Sequence, residues 1–130
     1  MALLALAIVG GLGLSACGQK SGAGPPEGAT PEAAAGFAVA QQFGCTACHS
    51  TNGSPRSGPS FKALAGSTVT LSTGQTVMAD DAYLRRAILD PDTDVRKGYS
   101  KGLMSSALSG RRALTEQQAT ELVAYINSLR

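Results

Sequence analysis

Hydrophobic positions recur at helical spacing in three stretches of the chain. The firmest lies near the C-terminal end, where Ala119, Leu122, Val123, Ile126 and Leu129 step by three and four residues and leave Glu121, Asn127 and Arg130 turned away. Just ahead of it, Thr115-Glu116-Gln117-Gln118 has the form of a capping box, in which a hydroxyl and a glutamine side chain satisfy free backbone N–H groups reciprocally. A second helix is predicted to open at Thr30-Pro31-Glu32, with Thr as cap, Pro in the first turn and an acid beside the positive helix end. It should run to about Phe43, with Phe37, Ala40 and Phe43 or Gly44 on one face and Gly36 allowing another backbone to approach. The third opens at Asp80-Asp81, carries Tyr83, Leu84, Ala87 and Ile88 at helical spacing, and stops before Pro91. Val69-Thr70-Leu71 and Thr76-Val77 flank Ser72-Thr73-Gly74-Gln75 and predict a small hairpin. Residues 91–113 have few periodic positions and much Gly, Ser and Lys, and are expected to form a long irregular loop of the functional type. There is no internal repeat, and the expected fold class is all-α.

The first thirty residues follow a different logic. Ala2 to Leu14 contains only Ala, Leu, Ile, Val and Gly, which is shorter than the roughly 20 apolar residues of a spanning helix. It ends in Leu14-Ser15-Ala16-Cys17, small residues before a cysteine, as in a bacterial lipoprotein signal cleaved before a cysteine that is then lipidated. No Lys or Arg precedes Lys20, so the usual basic flank is missing, and an uncleaved apolar anchor with an incidental Cys17 is the alternative. Either way the domain is exported. The expected organisation is a signal peptide over 1–16, a flexible Gly/Pro/Ser-rich tether over 17–30 and one domain over 31–130. Several acyl chains on Cys17 would hold that domain on a membrane, where one alone binds marginally.

Composition narrows the function. A chain of 130 residues with a formal charge of +2, 15% charged residues and no basic run lacks the electrostatic footprint of a nucleic-acid binder. Three Phe, three Tyr and no Trp against 16 Gly predict a core thin in protein atoms, with room for a non-protein group.

Three cysteines cannot form a closed disulfide framework, and their placement carries the chemistry. Directly after the first helix stands Cys45-Thr46-Ala47-Cys48-His49, the C-x-x-C-H pattern of covalent haem attachment. Two thiols at this spacing reach two vinyl groups on neighbouring pyrrole rings, and the adjacent imidazole then lies beneath the iron. The chain's single histidine completes the pattern. A thioredoxin-like motif would need a strand-to-helix context, a zinc site of Cys45, Cys48 and His49 lacks a plausible fourth ligand of Cys or His type elsewhere, and a Cys45–Cys48 disulfide would close too small a loop to stabilise much. Haem c, held through Cys45 and Cys48 with His49 on the iron, is the reading that remains.

A second axial ligand has to be soft, and outside the leader the candidates are Met78 and Met104. Met104 lies in the long loop, free to fold over the opposite haem face, whereas Met78 immediately precedes a predicted helix cap. A methionine beside Leu103 could equally be a core residue.

Together these residues resemble the class I c-type cytochromes, in particular the cytochrome c domain fused to subunit II of caa-type haem–copper oxidases. The similarity spans about residues 36–129 and includes Gly44 to Ser50, Gly58-Pro59-Ser60-Phe61, Gly66 through Leu84-Arg85-Arg86-Ala87-Ile88-Leu89-Asp90-Pro91, Lys97-Gly98-Tyr99 and Leu122-Val123-Ala124-Tyr125-Ile126. The resemblance implies three to five helices wrapped around one haem, first and last helices crossing near Gly36, the Pro59 carbonyl orienting the His49 ring, and Met104 as sulfur ligand. Ser105 departs from the family, which usually has Pro after that Met, and Ser100 and Lys101 replace prolines common nearby. None of the Cys/His/Met pattern of the dinuclear copper domain is present, so the chain resembles the cytochrome domain alone on its own lipid tether.

With both axial positions filled, the expected activity is one-electron transfer rather than substrate chemistry, and a thioether ligand in an apolar pocket raises the potential. The expected partners are a quinol-oxidising complex as donor and a terminal oxidase as acceptor, with no nucleic acid and with a membrane bound through the anchor. Arg96, Lys97 and Lys101 could form a positive docking rim, offset by Asp90, Asp92 and Asp94. The alternatives are a five-coordinate haem protein for gas sensing or peroxide chemistry, and a non-redox accessory subunit of an oxidase.

Overall fold

The computed structural model describes residues 24–130; the expected signal peptide over 1–16 and the expected lipidation site Cys17 lie outside the described residues. Residues 24–30, the described end of the expected tether, form no helix or strand and contain one turn, closed by the Ala29 N–H on the Pro26 carbonyl at 3.0 Å.

Helix α1 spans Pro31–Phe43. The Thr30 hydroxyl accepts the Ala33 N–H at 3.2 Å, and Gly44 ends the helix at φ 70°, a conformation that side chains with a Cβ rarely adopt. The C-terminal helix, Glu116–Asn127, begins with the full capping box: the Gln118 N–H donates to the Thr115 hydroxyl at 3.2 Å and the Thr115 N–H to Gln118 Oε1 at 2.9 Å. These two helices pack directly on each other through Gly36, where a methyl group would overlap the Glu121 carbonyl and lie 2.8 Å from Tyr125 Cβ. The expected stripe of the C-terminal helix is buried at Ala119, Leu122, Val123 and Ile126, with Leu129 packed against the core. Tyr125, outside that stripe, is also buried, because it meets Phe37 edge-on at 5.6 Å beside the glycine notch.

Helix α2, Asp81–Leu89, opens with the Asp80 carboxylate accepting the Tyr83 N–H at 2.8 Å and stops before Pro91. An Arg85–Glu116 ion pair and an Asn127 amide donating to Asp81 at 2.8 Å fasten it to the C-terminal helix. The hairpin forms one residue earlier than expected on its first arm. Strand β1, Thr68–Thr70, pairs antiparallel with β2, Thr76–Met78, placing Val69 opposite Val77. Leu71 follows the same register, its N–H on Gln75 O at 2.8 Å where the turn begins, and it also forms an isolated bridge with Arg96.

The expectation of an irregular loop over 91–113 is corrected. Helix α3 occupies Leu103–Ala107, followed by a 3-10 turn at Gly110–Arg112, so the C-terminal helix is α4. Five residues are too few to show a helical stripe, and the segment is held by bonds from elsewhere in the chain. Among the described residues the result is the expected all-α architecture, four α-helices with one small antiparallel hairpin. Among the described residues no helix is long and apolar enough to cross a membrane.

Candidate functional site

The left-handed residue Gly44 turns the chain out of α1 into a 3-10 turn, Cys45–Ala47. Cys48 N–H and His49 N–H both donate to the Cys45 carbonyl, at 3.2 and 2.9 Å, so the five-residue motif is wound into one turn that presents both thiols and the imidazole. Arg56 donates to the carbonyls of Thr46 at 3.0 Å and Ala47 at 3.4 Å, and Arg112 donates to that of Phe43 at 3.0 Å. Two guanidinium groups thus hold the turn from outside. Neither was singled out from the sequence, and the Arg112 contact spans 69 positions, for which no local signal exists.

Cys45 is half-buried and Cys48 exposed, and no disulfide joins them. Burial pushes the Cys45 thiol above its ordinary pKa, against the opposing pull of a backbone hydrogen bond and the Arg112 charge. Among the described residues no group of three or more His, Cys, Asp or Glu side chains converges on a metal-sized site.

The imidazole of His49 is fixed on several sides. Its Nδ1 lies 2.7 Å from the Pro59 carbonyl, which can only accept, so the proton sits on Nδ1 and Nε2 keeps a free lone pair. The ring stacks on Phe61 with centroids 4.7 Å apart and planes 11° from parallel. Gly58 passes so close that a Cβ there would lie 2.5 to 2.8 Å from three ring atoms. Burial holds the imidazole below its ordinary pKa, with the Pro59 bond opposing, which keeps it neutral and able to donate a lone pair. The loop that supplies Pro59 is itself braced: the Gly58 N–H donates to Cys48 O and the Phe61 N–H to Ser50 O, both at 2.8 Å, and buried Ser50 donates to Ser54 O at 2.6 Å.

The motif opens onto a cavity of about 320 Å³. One wall carries Cys45, Cys48 and His49; apolar walls come from Leu84 and Ile88 of α2 and Leu122 and Ile126 of α4; Leu103, Met104 and Leu108 close it from the α3 side. A void of this size is far larger than the few water-sized gaps of a packed core, and its apolar lining suits a large flat hydrophobic group. Two thiols and a neutral imidazole on one wall, with a thioether in the same lining, are the donor set for a covalently attached haem. The residues therefore fit the group. Met78 lies outside this lining, 62% exposed at the end of β2. Of the expected charged rim, Arg96 lines the cavity mouth while Lys97 and Lys101 are exposed. Two of the opposing acids are engaged elsewhere, Asp94 with Arg86 at 2.9 Å and Asp92 with Gly102 and Ser105.

A helical shell around an apolar cavity that bears C-x-x-C-H on its wall defines a c-type cytochrome domain. Residues 33–130 match the family model Cytochrome c, and the chain belongs to that family. Its members bind haem c covalently through cysteines, and Cys45 and Cys48 stand in that position; the domain is of the class I type, a haem electron carrier. No curated protein matches the chain.

Proposed function

We propose that the protein is a monohaem one-electron carrier of a respiratory chain, with His49 and Met104 as the axial ligands of the iron, passing electrons from a quinol-oxidising complex to a terminal oxidase. The observation that carries the reading is the shared cavity: the C-x-x-C-H turn and the α3 methionine line the same apolar space from different elements. Haem c, when bound, supplies an iron that cycles between ferric and ferrous states. The chain does the rest. Cys45 and Cys48 would tether the group, the Pro59 carbonyl holds the His49 proton on Nδ1 so that Nε2 is free to ligate, and Met104 would supply the second soft donor from the α3 side and keep outside ligands away. Apolar walls exclude water and, with a thioether, favour the reduced state, which suits a donor to an oxidase. Arg96, Lys97 and Lys101 would steer a weak, fast-exchanging partner by charge.

Optical spectra of the purified holoprotein, oxidised and reduced, test this. Wild type should show the weak long-wavelength sulfur-to-iron band in the ferric state, and Met104→Ala should lose it. Retention of the band in Met104→Ala would hand the ligand role to Met78. A high-spin wild type that binds carbon monoxide rapidly when reduced would refute the carrier and favour gas or peroxide chemistry. We read residues 1–16 as an export signal and Cys17 as the lipidated anchor; mass spectrometry of protein extracted from the membrane fraction should show a chain that begins at an acylated Cys17, and an uncleaved or unacylated N-terminus would refute that anchor.

A further inference from the structure

Helix α3 is only five residues long and has no side-chain cap from its own N-cap residue, Gly102. A helix this short is unstable on its own. Its start is held by a residue ten positions earlier: Asp92 Oδ1 accepts the Gly102 N–H at 2.8 Å, and Asp92 Oδ2 accepts the Ser105 hydroxyl at 2.8 Å. Both carboxylate oxygens are committed to the first turn of the helix that carries Met104. The other side of Asp92 is anchored independently of α3. Asp90 receives both the N–H and the hydroxyl of Thr93, Asp94 pairs with Arg86 of α2, and the hairpin is stitched to the following residues by Ser72 N–H to Val95 O and Lys97 N–H to Thr70 O, both at 2.8 Å.

We propose that Asp92 is a positioning residue: it anchors α3 to the α2 and hairpin framework and, through α3, holds Met104 toward the cavity. The inference rests on the reading of Met104 as axial ligand only in its second half. Ser105 stands where the sequence lacks the proline that would stiffen this turn, and the bridge to Asp92 supplies the stiffness by hydrogen bonding. Its partner is thus identified by geometry: a fixed carboxylate accepting one backbone and one hydroxyl proton.

The test uses covalently loaded ferric protein with matching far-ultraviolet circular dichroism. Imidazole is titrated into wild type, Asp92→Ala, Asp92→Asn, Ser105→Ala and Met104→Ala. Imidazole binds only the fraction of molecules whose methionine has left the iron, so its apparent affinity reports how firmly α3 is held. Asp92→Ala should bind imidazole about tenfold more tightly than wild type, and Ser105→Ala should fall between. Asp92→Asn should stay near wild type, because its amide oxygen can accept from Gly102 and its NH2 can donate to the Ser105 oxygen. Where Met104→Ala binds imidazole more tightly than wild type, equal affinity in wild type and Asp92→Ala, or an Asn variant as loose as the Ala variant, overturns the proposal. Amide exchange at Gly102 and Ser106, whose N–H donates to Gly102 O at 3.0 Å, is measured in parallel. If Met104→Ala and wild type bind imidazole alike, the ligand reading fails, and exchange alone decides the anchor. Exchange about tenfold faster in Asp92→Ala then supports it, and unchanged exchange overturns it.

Discussion

Gly58→Ala probes the seat of His49, the proposed iron ligand, without substituting that residue. The added methyl would lie 2.5 Å from His49 Cε1, 2.7 Å from Nδ1 and 2.8 Å from Nε2, where carbon contacts settle at roughly 3.5–4.0 Å. About 1 Å must be found somewhere. If the ring moves, the 2.7 Å bond from Nδ1 to Pro59 is stretched and the stack on Phe61 is disturbed. If the loop retreats instead, the 2.8 Å bond from the Gly58 N–H to the Cys48 carbonyl is lost. Overpacking alone costs about 1–3 kcal/mol, and one hydrogen bond adds about 1 kcal/mol. The expected loss is therefore roughly 2–4 kcal/mol, read as a lower guanidinium midpoint of the loaded protein with unchanged slope. On the proposed ligation the ferric spectrum should also shift, since His49 is then the group on the iron. A variant within about 0.5 kcal/mol of wild type, with an unaltered spectrum, would refute the picture of an imidazole held against Gly58.

Three further outcomes follow from the same contacts. Gly36→Ala adds a better helix former, worth about 1 kcal/mol by propensity, yet the methyl meets the Glu121 backbone, which cannot rotate aside; we expect a net loss of about 1–2 kcal/mol in thermal or guanidinium unfolding, and a stabilised variant would show that α1 and α4 do not pack there. Thr115→Ala removes the hydroxyl half of the α4 capping box and should cost about 1 kcal/mol, a fall in Tm of roughly 4–8 °C; exposed Ala38→Gly serves as a comparison of similar size. Hydrogen bonds from the Gly102 N–H and the Ser105 hydroxyl, then the Lys101 charge, hold the Asp92 carboxyl below its ordinary pKa of 3.8. A lowered folded-state value means the stabilisation is present above about pH 4 and is lost as pH falls through the lowered pKa, so the stability gap between wild type and Asp92→Ala should close on acidification; a gap independent of pH would contradict the bonds.

What could be read before the fold was known was the part encoded by neighbours. The α4 stripe, its capping box, the Thr30 and Asp80 caps and the C-x-x-C-H turn each lie within a dozen residues, and each local signal corresponds to an element of the structure. Tyr125 escaped the α4 stripe because its burial comes from Phe37, Phe61 and the space opened by Gly36, none of which belongs to α4.

The segment after Pro91 shows the opposite case. Its helix is too short for a periodic signal, and the residues that hold it, Asp92 for α3 and Arg86 and the hairpin for Asp92's own neighbours, look individually like solvated surface groups. The same remoteness explains Arg112, whose guanidinium donates to a carbonyl 69 positions back. A motif that must attach a large group can be local, because two thiols and an imidazole have to reach one face of it together. The element that closes the other side cannot be, because its distance from the motif is set by everything packed between them. Such a segment has to be placed by the framework, and a carboxylate with both oxygens committed is a direct way for a five-residue helix to be placed.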